Sequence, residues 1–175
     1  MTMLDQNRAS AQLAEAAQVP VTAVEQLFIW GNHSATQYPD IHHAMIAGQP
    51  VTQVIEDKAW LEKTFIETVQ QRGAAIIQAR GASSAASAAS AVIDTVRHLT
   101  GQEGGRPFSV ACYSSGEYGA KKGLIVSYPC QVDSAGVLHI LTDLEHNTFS
   151  REKIMNSLIE LQQEYEVVEQ MGLLN

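Results

Sequence analysis

Asp5, Arg8 and His33 are the residues whose types and spacing suit acid–base chemistry. His33 stands just past an apolar run and a glycine, in Ile29-Trp30-Gly31-Asn32-His33-Ser34-Ala35-Thr36-Gln37-Tyr38-Pro39-Asp40. Imidazole changes its protonation near neutral pH, and a loop carried by a rigid strand suits proton transfer. Asn32, Ser34 and Thr36 surround the ring with small polar groups rather than a core. On these grounds a structural histidine and a catalytic one both stay open. Asp5 and Arg8 are three apart and share a face if the segment is helical. One reading is an exposed ion pair of little consequence, with Asp5 favouring the positive end of a helix. The other is functional. A guanidinium grips a carboxylate through two parallel hydrogen bonds, and a carboxylate orients an imidazole and stabilises its protonated form. Spacing alone favours the ion pair.

The elements that must position these groups follow from pattern. Leu4 to Ala17 reads as a helix by its Ala, Gln and Leu content, with Ala11, Leu13, Ala14 and Ala17 forming a small-residue face suited to dimer packing. It begins almost at the first residue, which leads us to expect further sequence upstream. Val21 to Trp30 reads as one buried strand that Gly31 breaks, and Val51 to Ile55 as a short strand. Asp57 to Gln78 has helical spacing, with Gly73 marking a kink or break. A serine-capped, Ala-rich helix runs from Ser83 or Ser84 to about Leu99, its small side chains suited to tight helix packing or a ligand contact. Phe108 to Tyr113, Gly123 to Gln131 and Val137 to Leu141 read as strands, the last two joined by a hairpin turn at Asp133-Ser134-Ala135-Gly136. Ser150 is expected to cap a final helix with Ile154, Leu158, Leu161 and Tyr165 on its buried stripe. Strands and helices are partly segregated, which points to an α+β fold with an antiparallel sheet packed against helices.

Composition narrows the function classes. The chain has 175 residues, enough for one domain with a real core, and we read residues 1–175 as a single unit. It is 45% hydrophobic and 17% charged, with a formal net charge of -8. That balance argues against nucleic acid or an anionic membrane as main partner. No apolar run approaches bilayer length. Cys112 and Cys130 lie outside any CxxC pair and read as buried free thiols, hence a reducing, cytoplasmic compartment. His42-His43 with His33 has no acid or thiol at ligand spacing, so no metal is expected. Lys121-Lys122 reads as a solvated turn, and Ser114-Ser115-Gly116 lacks the GxSxG of a nucleophile elbow.

Four segments in order carry a resemblance: Leu4-Asp5-Gln6-Asn7-Arg8-Ala9; Trp30-Gly31-Asn32-His33-Ser34 with Gln37-Tyr38-Pro39-Asp40; Arg80-Gly81-Ala82-Ser83-Ser84-Ala85-Ala86-Ser87-Ala88; and Phe149-Ser150-Arg151-Glu152-Lys153. They resemble the LDxNRA, WGNHS…QYPD, RGASSAASA and FSREK segments of cytosolic-type malate dehydrogenases. The resemblance implies the α+β substrate domain of the lactate and malate dehydrogenases. It implies His33 as proton donor and acceptor for malate and oxaloacetate, Asp5 as its partner, Arg8 on a substrate carboxylate, and Ser83 near substrate and nicotinamide. It also implies NAD as cofactor and a homodimer.

The departure is equally specific. There is no GxGxxG: Gly101, Gly104 and Gly105 follow no strand and lack the spacing. The chain therefore resembles only the C-terminal catalytic half of such an enzyme, without the dinucleotide-binding domain, and is expected to be inactive or nearly so alone. Two alternatives remain: a non-enzymatic dicarboxylate-binding or self-associating module, and lactate dehydrogenase-like 2-hydroxy acid specificity.

Overall fold

The structure is a computed structural model and describes residues 2–173. Its first element, α1 (Thr2–Ala17), is the spine of the domain. Met3, Ala9, Leu13 and Ala14 bury against the sheets and neighbouring helices. The small-residue face expected to meet a second copy is thus consumed within the chain: Leu13 and Ala14 are buried, and only Ala11 of the four is exposed.

The single strand expected over Val21 to Trp30 is divided. A short 3-10 turn leads into β1 (Val24–Glu25), and β2 (Ile29–Trp30) follows after Gln26, whose φ of 52° turns the backbone out of the extended region. β3 (Tyr38–Pro39) returns antiparallel to β2, with Ile29 opposite Pro39 and Trp30 opposite Tyr38. The His33 segment is thus the loop of a hairpin. β4 (Met45–Ile46) and β5 (Gln49–Pro50) complete a small antiparallel sheet with β1.

Val51 to Ile55, expected as a strand, is a short helix, α2 (Val51–Val54). The Val51 amide bonds to the Ala44 carbonyl and the Ile55 amide back to Val51, so local bonding outweighed β-branched propensity. A π-helical turn over Trp60–Phe65 runs directly into α3 (Ile66–Arg80). Gly73 does not break that helix. A side-chain carbon there would sit 3.9 Å from Nη1 of Arg8, an ordinary contact.

α4 (Ala85–Leu99) packs on α1, where Ala91 is buried and Asn7 donates to Asp94 at 2.8 Å. Its first turns, the Ala/Ser-rich part, are largely exposed, so the tight packing expected for that run is confined to Ala91. β6 (Phe108–Tyr113), β7 (Ile125–Val132) and β8 (Leu138–Ile140) form an antiparallel meander, with the expected turn at Asp133 to Gly136. α5 (Thr148–Gln170) closes the domain. Its cap is Asn147, whose side chain accepts from the Ser150 amide, so Ser150 lies inside the first turn rather than at the cap. The buried Ser150 hydroxyl pairs with the Tyr38 hydroxyl at 2.9 Å.

The core gathers around Trp30, Tyr38, Tyr128, Phe65 and Phe108. β2 is pinned to the meander there. Gly31 and Ser127 exchange backbone hydrogen bonds at 3.0 and 2.9 Å, Ser127 Oγ donates to the Ile29 carbonyl, and Ser109 Oγ accepts from the Ile29 amide. Among the described residues no helix is long and apolar enough to cross a membrane. The cysteines are free as expected, Cys130 buried and Cys112 half-buried.

Candidate active site

The hairpin β2–β3 carries His33 over the side of α1 that presents Asp5. Asp5 Oδ2 lies 2.6 Å from His33 Nδ1. The Asp5 side chain is 2% exposed and the His33 side chain 52%. The short contact suits a proton on Nδ1 donated to the carboxylate, which leaves Nε2 as the free nitrogen of a half-exposed ring. Arg8, one helical turn on, places Nη1 3.8 Å from Asp5 Oδ1. Its side chain is 16% exposed, so this is not the solvated surface pair that spacing favoured. A cavity of about 240 Å³ opens between α1, the hairpin loop and α3, lined by Asp5, Arg8, His33, Gln37, Gln70 and Gly73 among others. Gln70 donates to the Gln37 carbonyl at 2.8 Å and ties the loop to α3. A larger cavity of about 420 Å³, beside Asn7, Asp94 and Arg106, holds none of the site residues expected from sequence.

The structure therefore brings together His33, Asp5 and Arg8. Ser83 lies apart, exposed in the turn between α3 and α4, and does not line this cavity.

Behind the loop sits α5. The carboxylate of Glu160 accepts from Asn32 Nδ2 at 3.0 Å, from Thr36 Oγ1 at 2.5 Å and from Ser34 Oγ. Ser157 Oγ accepts from the Asn32 amide at 2.8 Å. Partial burial raises the proton affinity of Glu160, but the Ser34, Thr36 and Asn32 hydrogen bonds outweigh it and hold the carboxyl below its usual range. Gly31 permits this approach. Its φ is +86°, and a side-chain carbon there would overlap Ser157. Sequence reading missed Glu160 and Ser157, since two polar residues three apart on a helix give no signal. Gly31 was visible only as a strand breaker.

A second carboxylate–imidazole group lies at the far end of the hairpin. Asp40 is fully buried and accepts from Trp30 Nε1 at 3.0 Å, from the His42 amide at 2.9 Å and from His43 Nδ1 at 2.7 Å. Burial pushes its proton affinity up, but the His43 and Trp30 hydrogen bonds and the nearby imidazoles bring the carboxyl below its ordinary value. His43 is raised, first by its hydrogen bond to Asp40. His146, whose Nε2 is 3.8 Å from Asp40 and has no hydrogen-bond partner, is lowered by burial. Asp40, His43 and His146 bring three ligand-type atoms within 4.8 Å of one another. Both Asp40 oxygens are engaged by these donors, and the three residues form one buried polar cluster. The His33, His42 and His43 set considered from sequence is split, because His33 pairs with Asp5 instead.

Comparison with known proteins shows the family of the chain. The family model for the lactate/malate dehydrogenase alpha/beta C-terminal domain matches residues 2–171. The chain is similar to malate dehydrogenase from Naegleria fowleri, at 44% identity and a TM-score of 0.89, covering 99% of this chain and 52% of that one. It is similar to Trichomonas vaginalis lactate dehydrogenase in complex with NADH and oxamate, at 31% identity and a TM-score of 0.91, covering 99% and 55%. Malate dehydrogenase from Salinibacter ruber, at 23% identity and a TM-score of 0.81, shares the fold. The chain thus spans about half the length of these solved relatives.

Proposed function

Because the chain belongs to the lactate/malate dehydrogenase family, as its alpha/beta C-terminal domain, we propose that it is the proton-transfer and carboxylate-binding half of an NAD-dependent malate dehydrogenase. The observation that carries this reading is the His33–Asp5 pair opening, with Arg8, onto one cavity.

Asp5 fixes the tautomer of His33 and offsets the charge of its protonated form. The outward Nε2 then gives a proton to a substrate carbonyl oxygen, or takes one from the corresponding alcohol. Arg8 is planar, permanently charged and only a turn away, and binds the neighbouring carboxylate. The residues present do not fit a dinucleotide. Among the described residues no helix start is reached from a strand through a glycine-rich turn that would cradle a pyrophosphate. NAD therefore enters the proposal only as the hydride carrier of an intact enzyme about twice this length. Ser83, away from the cavity, belongs to the proposal only as a residue near that cofactor in the intact enzyme. A homodimer and a reducing, cytoplasmic compartment complete the reading, the compartment supported by the two free thiols.

Calorimetry with oxaloacetate on the purified chain tests the reading. Heat of binding is expected from the parent and not from Arg8→Gln. A folded parent chain giving no heat would overturn the dicarboxylate reading. Oxidation of NADH by this chain alone is expected to be absent, and full turnover would sink the claim that it lacks a cofactor site. The 31% identity to a lactate dehydrogenase supports a second reading, and pyruvate binding in preference to oxaloacetate would favour it.

A further inference from the structure

We propose that Glu160 is a positioning residue for His33, an inference that rests on the proton-transfer reading above. The His33 loop has seven residues between β2 and β3, and its own side chains give it little to hold with. Asn32, Ser34, Ala35 and Thr36 are small, and the His33 ring is half-exposed with the Asp5 carboxylate as its hydrogen-bond partner. Such a loop, left to itself, samples many conformations, and a proton donor must be held within a few tenths of an ångström to act. The anchor comes from α5. Glu160 Oε2 collects three donors, from the residues immediately before and after His33 and from Thr36. The loop is thereby fixed on both sides of the imidazole. Hydrogen bonds to an ionised acceptor are about twice as strong as neutral ones.

The hydrogen bonds around Glu160 favour its ionised form. Ser34 donates to it, and the Thr36 hydroxyl proton is shared between Glu160 and Ser157 Oγ, the latter at 3.0 Å. The Thr36 amide donates to Ser34 Oγ at 3.0 Å. Asn32 Nδ2 has two protons and divides them between Glu160 and Glu164 Oε1, the latter at 2.9 Å. Glu160 serves all three loop residues as an acceptor, in keeping with a carboxyl that these hydrogen bonds hold below its usual range. Ser157, Glu160 and Glu164 recur at three- and four-residue spacing, so a single face of α5 supports the loop.

The test is nuclear magnetic resonance of the whole chain, following exchange of the His33 Nδ1 proton with water. Glu160→Ala should speed that exchange by roughly tenfold or more, the factor set by losing a hydrogen bond worth about 1.5 kcal/mol. Glu160→Gln keeps an acceptor oxygen and should restore most of the protection. Glu164→Ala, which removes only the outer partner of Asn32, should change it little. Unchanged exchange in Glu160→Ala would overturn the proposal, as would an equal effect from Glu164→Ala. A general loss of structure would show instead as faster exchange of the buried Trp30 Nε1 proton, which serves as the internal reference. Oxaloacetate binding by the parent separates the two claims. Failure to bind removes the catalytic reading, whereas unchanged exchange removes the role of Glu160.

Discussion

Two carboxylate–histidine pairs of nearly the same length flank the hairpin β2–β3, 2.6 Å for Asp5–His33 and 2.7 Å for Asp40–His43, and their surroundings differ. Both carboxylates are buried. What differs is the outer side of each ring. His33 is half-exposed and opens on a cavity shared with a guanidinium. His43 is mostly buried, ring against ring with His146, and its carboxylate is crowded with donors from Trp30 and the backbone. An imidazole held by a carboxylate becomes available for proton transfer only when its second nitrogen can reach a substrate. The Asp40 group instead closes the hairpin and fixes the base from which the His33 loop springs.

If that contrast is right, the largest effect belongs to Asp40. Asp40→Asn turns an amide NH₂ toward donors and leaves the mostly buried His43 ring without its carboxylate, and should cost about 3–5 kcal/mol in denaturant unfolding. Gly31→Ala should follow at on the order of 3 kcal/mol, from positive φ plus overlap with Ser157, read as a fall in melting temperature. Asp5→Asn should cost less, about 1–2 kcal/mol, because the half-exposed His33 ring can turn to water, while lowering oxaloacetate affinity roughly tenfold in calorimetry. Equal destabilisation by Asp5→Asn and Asp40→Asn would erase the distinction between the two pairs.

The smallest effect is pH dependence within the Asp40 group. His146 is lowered when folded, so its contribution is present above its unfolded value of about 6.5 and lost as pH falls through it. His43 is raised, so its contribution is complete below about 6.5 and lost as pH rises through its folded value. Asp40 is lowered, so its contribution holds above about 4 and disappears in acid. His146→Phe should therefore flatten the loss of melting temperature between about pH 7 and pH 5. A slope equal to the parent's would place the acid sensitivity elsewhere.

The long helices and the β6–β7–β8 meander were legible from sequence, because each has a period or a turn signal that its own residues supply. The hairpin was not. Val21 to Trp30 is dominated by Val, Leu, Phe, Ile and Trp, and the polar pair Glu25-Gln26 within it fits an exposed strand position as well as the turn that Gln26 makes. Val51 to Ile55 differs for a related reason: β-branched side chains suggest a strand, but the Ile55 amide bonds helically to the Val51 carbonyl. The serine cap of α5 was displaced to Asn147, since two adjacent cap-forming residue types differ little until the incoming chain direction is known.

Sequence by itself singled out the candidate side chains, because residue type and the order of four family-like segments both point to Asp5, Arg8 and His33. It also determined that a glycine fingerprint for a dinucleotide is missing. Only the tertiary structure decided that Asp5 is buried, that Arg8 faces a cavity and that His33 rather than His43 has an open side. It alone showed that a face of α5 supports the loop. Burial and approach are sums over distant elements, so neither is written in the local pattern of any one segment.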